Sequence, residues 1–258
     1  MTAATTKERE EMWVSHLGLV PYRETLAAQE HVRELRLRDE VPDTLLLLEH
    51  PPVYTRGRRS ADGELPFGED FYSARGIDVI ETDRGGRVTY HGPGQLVGYP
   101  IMRIADIDAH LRTMEAAIVA TLAGEGISSR SRHEEGIDYT GVWVEDRKIA
   151  SIGVHVLRGV TTHGFAINVE NDLDPFSWVV ACGLPGVTMT SLARELAPER
   201  SAGMPCVRRR AAFAFCRAHG RRQRLVSPGR LGIDAPQAAA RPSTLAPAGT
   251  ASREAVPA

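Results

Sequence analysis

Apolar and polar positions alternate in helical and strand-like patterns over residues 12–197. Residues 22–40 space their apolar side chains three and four apart, as an amphipathic helix does, and residues 107–122 repeat the pattern ahead of Gly124. Residues 44–48 form a short apolar run closed by Pro51-Pro52, which predicts a buried strand. Residues 88–90 and 96–101 read as strands joined by Gly92-Pro93-Gly94. Residues 141–144 and 148–156 read as a hairpin around Glu145-Asp146-Arg147, with residues 161–169 as the neighbouring strand. Hairpins mixed with helices predict an α/β (α+β) fold with a mixed, partly antiparallel sheet and flanking helices, rather than a regular βαβ repeat.

Near residue 198 the pattern fades. The body, 12–197, is expected to be one folded domain, and 198–258 an Arg/Ala/Pro-rich tail. The tail holds Arg208-Arg209-Arg210 and ends in an Ala/Pro-rich stretch with few large apolar residues, so disorder is expected over most of it, with a short helix at 211–218. Its arginines suit nucleic acid, an acidic surface or plain solvation. The whole chain carries a formal net charge of -2, which gives no basic field for nucleic acid. No apolar run approaches the roughly 18 residues that cross a bilayer. The polar first eleven residues lack the apolar core of a signal peptide. A cytoplasmic protein is expected, without membrane association.

Composition then singles out two side chains. Lys7 and Lys148 are the two lysines among 31 basic residues. Lysine can give up its proton where arginine stays charged, so Lys148, at the start of an apolar strand, is a chemical candidate as well as a chance survivor. Cys182, Cys206 and Cys216 are an odd, sparse set that suits reduced thiols. Cys182 follows an expected short helix and precedes a Gly-containing turn. It reads as a small buried hydrophobe or as a nucleophile whose thiolate a nearby amine would stabilise.

The densest segment is Arg84-Gly85-Gly86-Arg87-Val88-Thr89-Tyr90-His91-Gly92-Pro93-Gly94-Gln95. Its glycines permit sharp turns or close approach of a ligand, and its polar residues add chemistry to that surface. A tight hairpin is the plain alternative. A dinucleotide fingerprint fits poorly, because no helix follows, and no Gly-Lys-Ser/Thr phosphate loop is present. No His/Cys/Asp set has metal-ligand spacing.

This segment resembles the signature of the lipoyl(octanoyl) transferase family, the LipB-type acyltransferases. Further segments agree in the same order: Leu46-Leu47-Leu48-Glu49-His50-Pro51-Pro52-Val53-Tyr54-Thr55; residues 148–153; Thr162-His163-Gly164-Phe165-Ala166-Ile167-Asn168; and Cys182-Gly183 with Val187-Thr188-Met189-Thr190-Ser191-Leu192. The resemblance covers residues 12–197. It implies a fold similar to the biotin and lipoate ligase catalytic domains. It also implies an enzyme that takes octanoyl from octanoyl-acyl carrier protein onto Cys182 as a thioester. The acyl group would then pass to a lysine of apo lipoyl domains or of the glycine-cleavage H protein, as the first step of endogenous protein lipoylation.

By the same resemblance Lys148 is catalytic beside Cys182. The acyl pocket maps onto Arg84, Gly85, Gly86, Arg87, Val88, Thr89, Tyr90, His91, Ser151, Ile152, Gly153, Gly164, Phe165 and Ala166. Backbone N–H groups freed by the glycines would face the thioester carbonyl, and Val88, Tyr90, Ile152 and Phe165 would line an apolar slot. His91 is the expected further polar participant, with His50 and His163 structural. Arg56, Arg58 and Arg59 are either a docking cluster for an acidic carrier or a solvated loop. No cofactor and no metal are expected, and the chain is expected to act as a monomer. The related ligase fold supplies an alternative, an ATP-dependent lipoate or octanoate ligase, which Thr55-Arg56-Gly57-Arg58-Arg59 faintly suits. An acyl-binding module without turnover is a third reading.

Overall fold

The run Thr44-Leu45-Leu46-Leu47-Leu48-Glu49 is buried at every position, and its leucines divide by parity. Leu45 and Leu47 enter one apolar cluster, Leu46 and Leu48 another. A strand that is apolar throughout therefore lies in a sheet covered on both faces. The computed structural model describes residues 10–180, 186–197 and 203–234. The strands are β1 (Glu11–Leu19), β2 (Thr44–Glu49), β3 (Val53–Arg56), β4 (Asp78–Glu81), β5 (Thr89–His91), β6 (Gln95–Ile101), β7 (Arg130–Ser131), β8 (Gly141–Val144), β9 (Arg147–Leu157), β10 (Val160–Asn168), β11 (Thr188–Met189) and β12 (Arg222–Leu225). The helices are α1 (Tyr22–Leu37), α2 (Glu69–Ser73), α3 (Ile107–Gly124), α4 (Leu192–Glu195) and α5 (Met204–Ala218).

The large sheet runs β12-β1-β2-β6-β10-β9-β8-β7. Its β12/β1/β2 end is parallel and the rest of that path antiparallel, which is the mixed sheet expected. α3 and α5 cover one face around Met114, Ile118, Val207 and Phe215, and α1 covers the other with Tyr22 and Val32. Asp106 caps α3 by accepting the Ala109 N–H at 3.0 Å, satisfying one of the first-turn donors. A smaller sheet, β4-β3-β5, packs with α2 around Tyr54, Tyr72 and Tyr90. The strands on either side of Gly92-Pro93-Gly94 thus do not pair with each other: β5 joins the small sheet and β6 the large one.

The expectation of a disordered tail from residue 198 is corrected over residues 203–234. α5 buries Met204, Val207, Ala211, Ala212, Phe215 and Cys216, while Arg208 is half-buried and Arg209 and Arg210 are exposed. The chain then adds β12 in parallel beside β1, pairing Glu11 with Arg222 through Val14 with Leu225. An apolar repeat of 3.6 outweighed a composition that looked like a tail. Residues 198–202 and 235–258 lie outside the described residues.

Candidate active site

A cavity of about 180 Å³ opens along β9, between the Gly-rich loop, β10 and the N-terminal end of α3. Close backbone approach builds its rim. Gly85 donates its N–H to the Val154 carbonyl at 2.9 Å, and Arg58 and Arg59 donate theirs to the Arg84 and Gly86 carbonyls at 3.0 Å. A Cβ on Gly153 would stand 2.6 Å from the Gly85 oxygen, and one on Gly57 would stand 2.4 Å from that of Gly86. Only residues without a side chain let these three segments meet. The Gly85 N–H is spent on Val154, so this glycine admits the loop onto β9 rather than aiming a donor at an acyl carbonyl.

Of the residues expected to form the pocket, Arg84, Gly85, Arg87, Thr89, His91, Ser151, Ile152, Gly153, Gly164, Phe165 and Ala166 line the cavity, together with Lys148. Val88 and Tyr90 do not. They lie in the small-sheet core with Tyr54, Tyr72 and Phe176. Successive side chains of a strand point to opposite faces, so Arg87, Thr89 and His91 take the cavity face and the two apolar residues take the other. Gly86 is likewise off the lining and serves the turn at φ +89. The apolar wall is supplied instead by Ile107, Leu111, Ile137 and Val154, with Ile152 and Phe165. Arg84 is buried, and its guanidinium stitches the loop, donating to the Thr55 carbonyl and hydroxyl and to the Arg87 carbonyl.

Lys148 is 2% exposed and lines the cavity. Its Nζ lies 5.2 Å from the centre of the Trp143 ring, a cation–π arrangement. Among the described residues no carboxylate lies within ion-pair distance of it. Cys182 falls outside the described residues, within 181–185. Its flanks are described: Val180 donates to the Glu64 carbonyl at 3.0 Å, and β11 pairs Thr188 with Arg147 and Met189 with Lys148.

The end of the cavity away from Lys148 is polar. Val154, six residues along β9 from Lys148, pairs with His163; at about 3.3 Å per residue the two ends are roughly 20 Å apart. There Tyr22, His91, Tyr99 and His163 line the wall. Gln95 spends its amide N–H groups on the Tyr90 carbonyl and Asn168 Oδ1, so its oxygen accepts from His91 Nδ1–H at 2.7 Å. His91 Nε2 therefore carries no proton, and burial holds the ring neutral, well below the ordinary imidazole range. His50 donates from Nδ1 to the Val20 carbonyl and accepts the Tyr99 hydroxyl at Nε2, both at 2.7 Å, and burial pushes it down to about 4. It is the structural histidine expected.

His163 is more than that. It lines the cavity, sits at φ +57 within a strand, and its backbone N–H donates to Gln29 Oε1 rather than to the sheet. A non-glycine residue held at positive φ is strained, and such strain gathers at functional sites. Its Nε2–H donates to Asp83 Oδ1 at 2.7 Å, while His155 Nδ1 meets Asp83 Oδ2 at 2.6 Å. The hydrogen bond from His163 holds the Asp83 carboxyl down at about 2. Sequence reading passed over Asp83, Tyr22 and Tyr99. A carboxylate directly before Arg84-Gly85-Gly86 was the available signal.

The description that matches the chain, over residues 21–215, is the lipoyl protein ligase A/B catalytic domain. The chain belongs to this family. An octanoyltransferase of Acidothermus cellulolyticus is 49% identical over 185 residues, covering 70% of this chain and 80% of that protein. One of Acidobacterium capsulatum is 40% identical over 235 residues, covering 84% and 94%. A solved lipoate protein ligase of T. acidophilum superposes with a TM-score of 0.67 at 17% identity, covering 84% of this chain and 88% of that one, which speaks for the fold alone. As a member of the ligase A/B family with such relatives, this chain is an acyltransferase enzyme. Among the described residues no cluster suits a metal ion, and no helix is long and apolar enough to cross a membrane.

Proposed function

We propose that this acyltransferase moves an octanoyl group from octanoyl-acyl carrier protein to a lysine ε-amine of apo lipoyl domains and of the glycine-cleavage H protein. The acyl group rests on Cys182 between the two transfers. The Cys182 thiolate attacks the donor carbonyl, an S–C bond forms, and the carrier's S–C bond breaks as its sulfur leaves with a proton from Lys148. The acceptor amine then attacks the new thioester, the Cys182 S–C bond breaks as the amide forms, and the proton shed by the amine passes to Lys148, restoring the thiolate–ammonium pair. The incoming thioester is already activated, so the reading requires no ATP, cofactor or metal. The named octanoyltransferase relatives support the acyl chain, and the lipoyl protein ligase family supports a protein acceptor. The protein acts as a monomer in the cytoplasm.

The observation that carries this reading is the Lys148 amine, buried against Trp143 beside the cavity with no carboxylate to pair with among the described residues. A buried cation without a partner anion is costly, and a thiolate formed beside it would supply that anion. The pairing of β11 with Arg147 and Lys148 supports a meeting of the two side chains, because it ties the chain just after Cys182 to this part of β9. Once it has given its proton to the leaving carrier thiolate, Lys148 can take one from the acceptor amine, and arginine could do neither. Incubation with octanoyl-carrier without ATP is expected to add one octanoyl mass to the wild type and none to Cys182→Ala. Labelling of Cys182→Ala, or strict dependence on ATP, would sink the proposal. Lys148→Arg is expected to lose turnover, and full activity in that variant would remove the proton-transfer role.

A further inference from the structure

At the mouth of the cavity two arginines converge on one carboxylate. Arg59 Nη1 donates to Asp138 Oδ1 at 2.9 Å, and Arg87 Nε stands 4.0 Å from the same oxygen. All three residues line the cavity. Arg87 also pairs with Glu64 at 2.8 Å, through Nη1. Its Nε–H is buried and has no hydrogen-bond partner among the described residues. A buried donor left open is uncommon in a folded protein and points to a missing acceptor.

The carboxylate that half-fills this place is removable. Asp138 sits in a short turn over residues 137–140, closed on itself by the Thr140 hydroxyl donating to the Ile137 carbonyl at 2.7 Å. Gly136 at φ +124 and Gly141 at φ +137 bracket it, conformations that side-chain-bearing residues rarely adopt. The Arg59 and Asp138 side chains are 39% and 33% exposed, where an ion pair is worth little. Exchange of Asp138 for a better oxyanion therefore costs little.

We infer that Arg59 and Arg87 form a phosphate site for the pantetheine arm of the acyl donor, and that Asp138 holds it in the free enzyme. The inference rests on the acyl-transfer reading above. With the acyl chain in the cavity and its thioester near Lys148, the arm must leave through this mouth. Gly141, three residues after Asp138, lies against the Lys148 side chain, where a Cβ on it would stand 2.9 Å from Cε, so Asp138 is within about 10 Å of this glycine along the chain. The arm links sulfur to phosphorus through about a dozen bonds of ~1.5 Å, so it extends on the order of 15 Å, enough to bring its phosphate to Arg59 and Arg87 at the mouth. Guanidinium forks match phosphate oxygens, and a phosphate offers more charge and more acceptors than Asp138 does.

The test compares octanoyl-phosphopantetheine with octanoyl-pantetheine as donors, reading kcat/KM for acyl-enzyme formation. In the wild type the phosphate is expected to raise kcat/KM roughly ten-fold or more, the size of a charge-assisted hydrogen bond, chiefly through KM. Arg59→Gln is expected to collapse that ratio, and Asp138→Asn, by removing the competing carboxylate, to enlarge it. Equal kcat/KM for the two donors in the wild type, or a ratio that survives Arg59→Gln combined with Arg87→Gln, would overturn the site. Calorimetry with unacylated phosphopantetheine against pantetheine reads the same site without turnover. Preference for the phosphate there, lost in Arg59→Gln, upholds the site even if neither thioester labels Cys182, a result that would count against the acyl-transfer reading alone.

Discussion

Burying the Lys148 amine takes a cation out of water, and the Trp143 face returns only part of what hydration supplied. Such a group is held in place by packing at a cost to stability. Lys148→Met, of similar length and apolar, is expected to keep or raise stability, by about 1 kcal/mol or more if the buried charge dominates, while abolishing acyl transfer. Urea denaturation and the acyl-enzyme assay together check this; a variant that lost both stability and activity would make Lys148 a packing residue. The position was legible in the chain, since one of two lysines opens an apolar strand. The two faces of the Gly-rich segment were not. Val88 and Tyr90 looked like acyl-chain lining, but strand parity turns them into the small-sheet core and gives the cavity Thr89 and His91. Parity is fixed by which sheet a strand joins, and three residues of β5 do not announce that.

Among the elements, α1, α3, β2, the β8–β9 hairpin and β10 were all readable from periodicity, because each carries enough turns or alternations to show its period. β1, β3, β4 and β12 are short or mixed in pattern and acquire their identity from the strands they join. α5 was legible only in its second half, the short helix expected at 211–218. Three arginines in a row and the Ala/Pro-rich end beyond hid a stripe at Met204, Val207, Ala211 and Phe215 that closes the core over α3. Phe215 is 1% exposed and Phe213, two residues earlier on the same helix, is 60% exposed. Phe215→Ala is expected to cost about 3–5 kcal/mol by leaving a cavity, and Phe213→Ala to stay within about 0.5 kcal/mol. Equal, small losses measured by denaturant titration would return α5 to the role of a loosely attached tail.

For the molecule as a whole, acid is the stress that its buried histidines register. His110 on α3 and His219 just after α5 meet at 3.2 Å between those helices. His219 Nδ1–H donates to the Phe215 carbonyl, so its Nε2 accepts from His110 Nδ1–H, and the contact survives only while His219 Nε2 is unprotonated. Burial, with the neighbouring His219 ring adding to it, pushes His110 down to about 4, and burial does the same to His50 under the β1–α1 turn. A histidine whose pKa falls on folding is protonated first in the unfolded chain. Its contribution is complete above about 6.5, and is lost as pH falls from there through about 4. At about 1.4 kcal/mol per pH unit, each of these two rings gives up roughly 3 kcal/mol across that window, a large share of the 5–15 kcal/mol typical of a domain. Asp83, held low by His163, adds its own loss only below about 3.8. Unfolding free energy is therefore expected to fall steeply between pH 6.5 and 4, before the carboxylates titrate. His110→Asn keeps a donor for His219 and removes one titrating ring. It should lower that slope by about 1.4 kcal/mol per pH unit, one proton's worth. A wild type whose stability is flat down to pH 4.5, or a variant with an unchanged slope, would show that these rings open to solvent before the fold does.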